Sequence, residues 1–128
     1  MKRRLIVSFV LVMSLVMAGN VLCADKDAIK KQVDDIVAAM DGGKAAKDFE
    51  SAANNTPYVF IMETGGKLLV HPSLANENLK EKAEPVYNEV VKGTPEGLWV
   101  DYEWKGSMKH TYVRKTAGGL IVGSGYSD

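Results

Sequence analysis

The C-terminal part of the chain contains three strand-like segments that are separated only by short turns. The segments are residues 98–104, 108–115 and 120–125, and they are connected through Gly106-Ser107 and Ala117-Gly118-Gly119. Connections this short can join only antiparallel neighbours, because a parallel pair needs a crossover of a dozen or more residues. The sequence therefore predicts three consecutive antiparallel strands.

A helix and a second pair of strands precede these three. Residues 25–41 carry apolar side chains at helical spacing and end at Gly42-Gly43, which predicts an amphipathic helix. Two strand-like runs then flank Thr64-Gly65-Gly66, a good hairpin turn. The remaining predictions, in chain order, are a short helix at 44–51, strands at 58–63 and 67–71, a polar excursion at 73–82 and a helix at 84–92. We predict an α+β domain in which a long N-terminal helix packs on a five-stranded antiparallel sheet.

The first 24 residues are typical of a cleaved signal peptide. Three basic residues lie within residues 1–4, an uncharged apolar run fills residues 5–18, and small residues precede the charged Asp25. Cleavage is expected after Cys23 or Ala24, and the sequence does not decide between them. An uncleaved membrane anchor is the less favoured alternative, because the apolar run is shorter than the ~20 residues that a spanning helix needs. We therefore expect a single domain at 25–128, located in the periplasm or secreted.

Charge and composition argue against several functions. The chain has 16 basic and 16 acidic residues, and the domain without its three leader cations has a net charge of −3. Nucleic acid is therefore not an expected partner, since phosphate binding usually leaves a basic footprint. The chain has two histidines and one cysteine, Cys23, which lies at the predicted cleavage site. We therefore predict neither a zinc site nor a cofactor. No nucleophile elbow surrounds Ser107 or Ser124, so we do not predict an enzyme.

The second half of the chain carries several motifs in a recognisable order. The second strand ends in His71-Pro72, the third reads WVDYEW from Trp99, the fourth reads KHTYV from Lys109, and the chain closes with VGSGY from Val122. Residues 58–128 thereby resemble the single Cache domain, a PAS-like extracytoplasmic sensor module of bacteria. The short connection at Lys105-Gly106-Ser107 departs from the longer insertion that is frequent in the family. The resemblance implies a PAS-like/Cache fold in a free-standing, exported sensor domain.

The predicted hairpin at 98–115 concentrates aromatic rings and cations. Strand alternation puts Tyr102 and Trp104 on one face. With a two-residue turn at Gly106-Ser107, Trp104 pairs with Lys109 and Tyr102 pairs with Thr111, so Lys109 joins the two rings. We favour this turn because a leading glycine suits type II′ geometry.

A three-residue loop in the same hairpin would change which side chains face the rings. His110 and Tyr112 would then replace Lys109 on that face, because a slip of one residue exchanges the two faces of a strand. With the favoured turn, His110 lies on the surface. Tyr112 either closes a pocket or packs in the core.

The residues and the family resemblance favour different interpretations of this hairpin. From the residues alone, the favoured interpretation is that Tyr102 and Trp104 are core or stack across strands on an exposed face, and that Lys109 is an ordinary strand lysine. The resemblance favours a ligand site instead, since family members bind small organic acids such as acetate, propionate, pyruvate or lactate. An ammonium group, a phenol and an indole N–H would supply the charge and the donors that a carboxylate needs.

Four further residues are candidates for the same site. His71 is either a pocket donor or a strand-end histidine that is bonded to the following loop. Phe60 and Met62 share one face of the first strand and form either the apolar floor of the pocket or plain core. Tyr112 completes the candidate set. Gly123 and Gly125 are predicted to permit a close backbone approach without chemistry of their own.

Three functions from different classes follow from these observations. The first is an exported sensor that presents its ligand state to a membrane-bound kinase, chemoreceptor or transporter. The second is an interaction module without a free pocket, in which the helix at 25–41 mediates a homodimer. The third is a cryptic hydrolase, which would need a nucleophile within hydrogen-bond reach of His71.

Overall fold

The computed structural model describes residues 25–128. The helices are α1 (Lys26–Asp41), a 3₁₀ helix (Ala46–Asn54), α2 (Leu79–Lys82) and α3 (Glu84–Val90). The strands are β1 (Val59–Glu63), β2 (Leu68–Val70), β3 (Leu98–Trp104), β4 (Ser107–Lys115) and β5 (Leu120–Ser127). The predicted signal peptide lies outside the described residues and stays a prediction. Within residues 25–128, no helix is both long enough and apolar enough to cross a bilayer.

The five strands form one sheet in the order β2-β1-β5-β4-β3, and every neighbouring pair is antiparallel. The predicted run of three consecutive strands is confirmed in β3, β4 and β5. The β1–β2 hairpin joins the sheet through β1, which pairs with β5 over the whole of Val59–Glu63. The prediction of an α+β domain with a five-stranded antiparallel sheet is therefore confirmed.

Helix α1 forms where the sequence predicts it and covers one face of the sheet. Its first turn is capped by Asp25, whose Oδ1 accepts a hydrogen bond from the backbone N–H of Ala28 at 3.0 Å. Ile29, Val33 and Val37 are buried against the strands. The outer side of the helix is charged and carries i,i+4 ion pairs. The apolar face of α1 is thus used inside the domain.

Strand alternation divides the interior into two cores, one on each face of the sheet. In β1, Val59 and Ile61 join the core beneath α1 and the 3₁₀ helix. Phe60 and Met62 join the opposite core, which α2 and α3 cover. These two short helices come from the segment that was predicted as a polar excursion followed by a helix. The candidate ligand site belongs to this second core.

The turn between β3 and β4 differs from the predicted one. It consists of Lys105-Gly106, and not of Gly106-Ser107. Both residues have positive φ angles, 52° at Lys105 and 85° at Gly106, which is the signature of a type I′ turn and not of type II′. The sequence preference for glycine in the first position was misleading, because here a lysine adopts that conformation.

The pairing of β3 with β4 is shifted as a consequence. Tyr102 lies opposite Lys109 and Trp104 lies opposite Ser107, so the predicted pairs of Tyr102 with Thr111 and of Trp104 with Lys109 are wrong. The shift is two residues. Because side chains alternate with a period of two, an even shift leaves Lys109 on the same face as Tyr102 and Trp104.

Candidate ligand-binding site

A small cavity lies between the sheet and the two short helices α2 and α3. It measures about 250 Å³ when the part open to solvent is included, but only about 10 Å³ can hold the centre of a water molecule. That is about the space that one water needs. The residues that line it are Tyr58, Phe60, Leu68, His71, Leu79, Val86, Val90, Tyr102 and Trp104. The wall is therefore mostly apolar and aromatic, and the cavity is narrow and partly open to solvent.

Lys109 lies against two rings of this wall. Its Nζ is 2.8 Å from the hydroxyl oxygen of Tyr58, 4.1 Å from the centroid of the Tyr58 ring and 6.0 Å from that of Trp104. The residue is 4% exposed. Within residues 25–128, no acidic side chain lies within ion-pair distance of its ammonium group. A buried lysine therefore faces aromatic groups instead of a carboxylate.

The surroundings of Lys109 disfavour its charged form. Burial, together with the smaller effect of the nearby cation Lys105, lowers the pKa of Lys109 to about 8. An ammonium group has three N–H donors. The bond to Tyr58 uses one of them. The residue thus keeps hydrogen-bonding capacity and, when protonated, an uncompensated charge.

The glycines of β5 explain how Lys109 and Tyr58 can meet. Strand β5 lies between β1 and β4, so side chains from those strands must approach each other across it. A Cβ atom on Gly123 would lie 2.4 Å from the ring of Phe60, and one on Gly125 would lie 2.2 Å from the carbonyl oxygen of His110. The predicted close approach at both glycines is confirmed. It leaves room on this face for the rings of β1.

His71 combines the two interpretations that the sequence left open. Its Nδ1 accepts hydrogen bonds from the backbone N–H groups of Ser73 at 3.0 Å and Leu74 at 2.9 Å, and its ring lines the cavity. An Nδ1 that accepts two bonds carries no proton, so the proton of the neutral ring is on Nε2. Burial, followed by the charges of Lys109 and Lys105, lowers the pKa of His71 to about 4. His71 is therefore a neutral N–H donor at physiological pH.

The remaining rings complete the wall. The hydroxyl of Tyr102 accepts a hydrogen bond from Thr111 Oγ1 at 2.9 Å, and burial raises the pKa of Tyr102, so the phenol keeps its proton. Trp104 is half-buried, and its ring lies edge-on to His71 at 6.2 Å between centroids. Phe60 contributes apolar surface. The structure thus brings together Tyr102, Trp104, His71 and Phe60 beside Lys109.

Three candidates from the sequence do not line the cavity: Lys109, which contacts the rings of Tyr58 and Trp104 in its wall, and Tyr112 and Met62. Tyr112 lies on the opposite face, where its ring packs on Trp99 at 5.4 Å and its hydroxyl donates to Asp34 Oδ1 at 3.3 Å. Its assignment to the ligand site is wrong, because the observed register sends even-numbered residues of β4 towards α1. Met62 is on the correct face but is fully buried among core side chains away from the cavity wall.

Sequence reasoning missed Tyr58, which contacts Lys109 directly. Tyr58 shares the alternation of Phe60 and Met62, so its face could have been predicted from the same pattern. Its backbone carbonyl accepts a hydrogen bond from Ser124 Oγ at 2.8 Å, which anchors the start of β1 to β5. The apolar lining from α2 and α3 was also missed, because nothing local in those segments indicates which surface they cover.

His110 belongs to a separate surface cluster, as predicted. Its ring nitrogens lie 2.7 Å from Asp101 Oδ1 and 2.9 Å from Asp128 Oδ1. Hydrogen bonds to these two carboxylates raise the pKa of His110. The cluster lies on the face opposite Lys109 and takes no part in the cavity.

Comparison with models of known protein families gives no match, and comparison with curated proteins gives none either. The resemblance of residues 58–128 to a single Cache domain stays a prediction.

Proposed function

We propose that this domain binds a small carboxylate in the cavity beside Lys109 and acts as an exported, Cache-like sensor. The observation that supports this most is the buried amine of Lys109, which has one hydrogen bond and no carboxylate partner in the described chain. An α+β domain with a five-stranded antiparallel sheet is consistent with the PAS-like fold that the resemblance implies.

The energetics of Lys109 favour an anionic ligand. A buried charge is costly unless it is paired and hydrogen-bonded. A carboxylate at this position would supply the negative charge that Lys109 lacks and accept hydrogen bonds from its remaining N–H groups. The Nε2–H of His71 offers a further donor. The surrounding rings limit water, which strengthens the attraction between the two charges.

The size of the cavity limits the ligand to a small molecule. The free space holds about one water, so even acetate requires side chains to move on binding. Trp104 is only half-buried, and the helices above the cavity are short. We expect acetate, propionate, pyruvate and lactate to be the right size class. A membrane-bound kinase, chemoreceptor or transporter would read the resulting change.

A thermal-shift experiment tests the proposal. Protein purified after expression of the full chain is heated with the sodium salts of the four acids, and sodium chloride at equal ionic strength serves as the blank. At a ligand concentration 100 times Kd, binding adds ~2.7 kcal/mol to stability. That corresponds to a rise in Tm of roughly 10–20 °C for a domain of this size.

Two matched variants locate the site. Lys109→Met removes the amine and keeps an unbranched chain, and we expect it to abolish the shift. Lys115→Met makes the same change on the same strand and face, six residues further on, and should leave the shift intact. A carboxylate shift that survives Lys109→Met would contradict the placement of the site.

The small free space also favours a second candidate, an interaction module whose cavity is filled by its own side chains. In that case no acid raises Tm in protein that has been freed of co-purified ligand. The apolar residues of α1 are already buried in the domain. A homodimer through α1 would therefore have to use its charged outer face, and sedimentation at two salt concentrations would detect it.

A further inference from the structure

Lys109 differs from every other lysine in residues 25–128 in its exposure. It is the single buried lysine of that part of the chain; Lys115 is half-buried and the others are exposed. Lys30, Lys31 and Lys82 each form an ion pair with an acidic side chain, whereas the partner of Lys109 is a neutral phenol. An environment of this kind makes the neutral amine easier to form than it is in an exposed lysine.

A neutral amine is a nucleophile as well as a hydrogen-bond donor. Lysines that are desolvated in apolar pockets form Schiff bases with carbonyl compounds. Because burial lowers the pKa of Lys109 to about 8, its neutral fraction at pH 7 exceeds that of an ordinary exposed lysine by a factor on the order of 100. Geometry and protonation thus agree on a reactive amine.

We propose that Lys109 forms a reversible imine with a small 2-oxo acid that occupies the cavity. This inference rests on the proposed function, since the carboxylate of the same ligand would bind there. It adds a chemical requirement that acetate and lactate do not meet, namely a carbonyl group next to the carboxylate.

The step balances without any further reactant. The Nζ of Lys109 attacks the carbonyl carbon to give a carbinolamine, whose hydroxyl leaves with a proton as water while the carbon–nitrogen double bond forms. Both amine hydrogens and the carbonyl oxygen end up in that water. The reverse reaction is hydrolysis, so the adduct is reversible.

Tyr58 is placed to move the proton. Its hydroxyl oxygen is 2.8 Å from Nζ, and burial raises the pKa of Tyr58, so it is a proton donor at neutral pH. It can donate its proton to the departing hydroxyl and recover one from the amine, with no net change. Tyr58→Phe keeps the ring and removes this hydroxyl.

Reductive trapping tests the imine. Protein purified after expression of the full chain is incubated at pH 7 with pyruvate and cyanoborohydride, and the adduct is located by peptide mapping. Lactate is the matched control, because it has the same carbon skeleton and carboxylate but no carbonyl group. We expect one reduced pyruvate adduct at Lys109, formed at least tenfold faster than at any exposed lysine. The N-terminal amine is scored separately, since its ordinary pKa is also near 8.

The outcomes separate this inference from the proposed function. If pyruvate and lactate both raise Tm and Lys109→Met abolishes that rise, but no adduct is trapped at Lys109, the carboxylate site stands and the imine is wrong. If Lys109 is trapped but no acid raises Tm in a way that depends on Lys109, the imine stands and the sensor site is wrong. Uniform labelling of all lysines overturns the imine.

The Tyr58→Phe variant tests the proton transfer. We expect trapping at Lys109 to slow at least tenfold when each protein is tested at a pyruvate concentration that saturates its own Tm rise. Trapping at the wild-type rate would remove Tyr58 from the reaction. The mapping of wild-type protein needs no substitution, so a folding defect in the variant leaves the main test intact.

Discussion

The two faces of the sheet differ in how their charged side chains are paired. On the α1 face, Asp34 lies 3.1 Å from Arg114 and 3.0 Å from Lys30, and it accepts a hydrogen bond from Tyr112. On the other face, Lys109 is almost completely buried, and its one hydrogen-bond partner in residues 25–128 is the hydroxyl of Tyr58. Within the described residues, one face thus carries a network of paired charges at its rim, and the other carries a lysine without an acidic partner.

This contrast suggests different roles for the two faces: the charges near α1 stabilise the fold, whereas Lys109 retains hydrogen-bonding capacity for an anionic partner. Arg114 also donates from Nε to the carbonyl oxygen of Pro95 at 2.7 Å, so the charges near α1 fix a loop to the helix and the sheet. Among residues 25–128, no carboxylate or backbone carbonyl accepts a hydrogen bond from Lys109 on the other face. The α1 face should therefore respond to mutation in stability alone, whereas the cavity face should respond in ligand binding and in pH dependence.

The largest effect is expected in the core of the α1 face. Ile61 is fully buried there, and Ile61→Ala should lower the free energy of unfolding by about 2–5 kcal/mol, the usual cost of a large-to-small change in a packed core. Urea unfolding measures it. Met108→Ala is the control, since Met108 is 44% exposed and its loss should cost less than about 0.5 kcal/mol.

The loss of unfolding free energy caused by Ile61→Ala should be the same with and without a bound acid, because the residue lies on the face opposite the cavity. If acetate or pyruvate lost affinity in Ile61→Ala while the protein stayed folded, the two faces would not be independent. The contrast drawn between them would then be wrong.

The next effect concerns Lys109 and the dependence of stability on pH. Its folded pKa is lowered to about 8, so the folded protein releases a proton that the unfolded chain keeps until about pH 10. Stability due to Lys109 should therefore be lowest below pH 8 and rise between pH 8 and 10, by about 3 kcal/mol at most. At pH 7, Lys109→Met should be more stable than the wild type, and the gap should shrink by pH 10.

A saturating carboxylate sharpens this prediction, since pairing would raise the pKa of Lys109 and remove the rise between pH 8 and 10. Lys115→Met is measured in parallel and should show no such pH-dependent gap. A wild type that exceeds Lys109→Met in stability at pH 7 without ligand would show that Lys109 is a structural residue.

Local sequence patterns predict the strands of the fold, but they did not predict the register of β3 with β4. Alternation and turn residues are properties of neighbouring positions, which is why all five strands were predicted near their observed places. The β3–β4 turn was misplaced because Lys105 adopts a positive φ, a conformation that few residues other than glycine adopt. The face of Lys109 was still predicted correctly, because the error was an even number of residues.

The site was predicted in part for a related reason. Tyr102 and Trp104 lie on the strand next to Lys109; alternation predicts that they share its face, and the family resemblance made them site candidates. Tyr58 is 51 residues away in sequence and meets Lys109 only because β1 and β4 both pair with β5. Strand order is decided by tertiary packing, and the glycines that open the space belong to a third strand. No pattern around position 58 contains that information.

The smallest effect is expected in the charge network near α1. Burial alone would raise the pKa of Asp34, but hydrogen bonds from Lys30 and Arg114 outweigh it and lower that pKa. The stability that ionised Asp34 contributes is therefore fully present above its unfolded pKa of ~3.9. It is lost as the pH falls through the lower pKa of Asp34 in the folded protein. Asp34→Asn should cost about 1 kcal/mol at pH 7, and this gap should close in acid. Asp35→Asn, whose ion pair with Lys31 is exposed, should cost less at pH 7. An equal cost for the two variants would show that the network is no stronger than an ordinary surface pair.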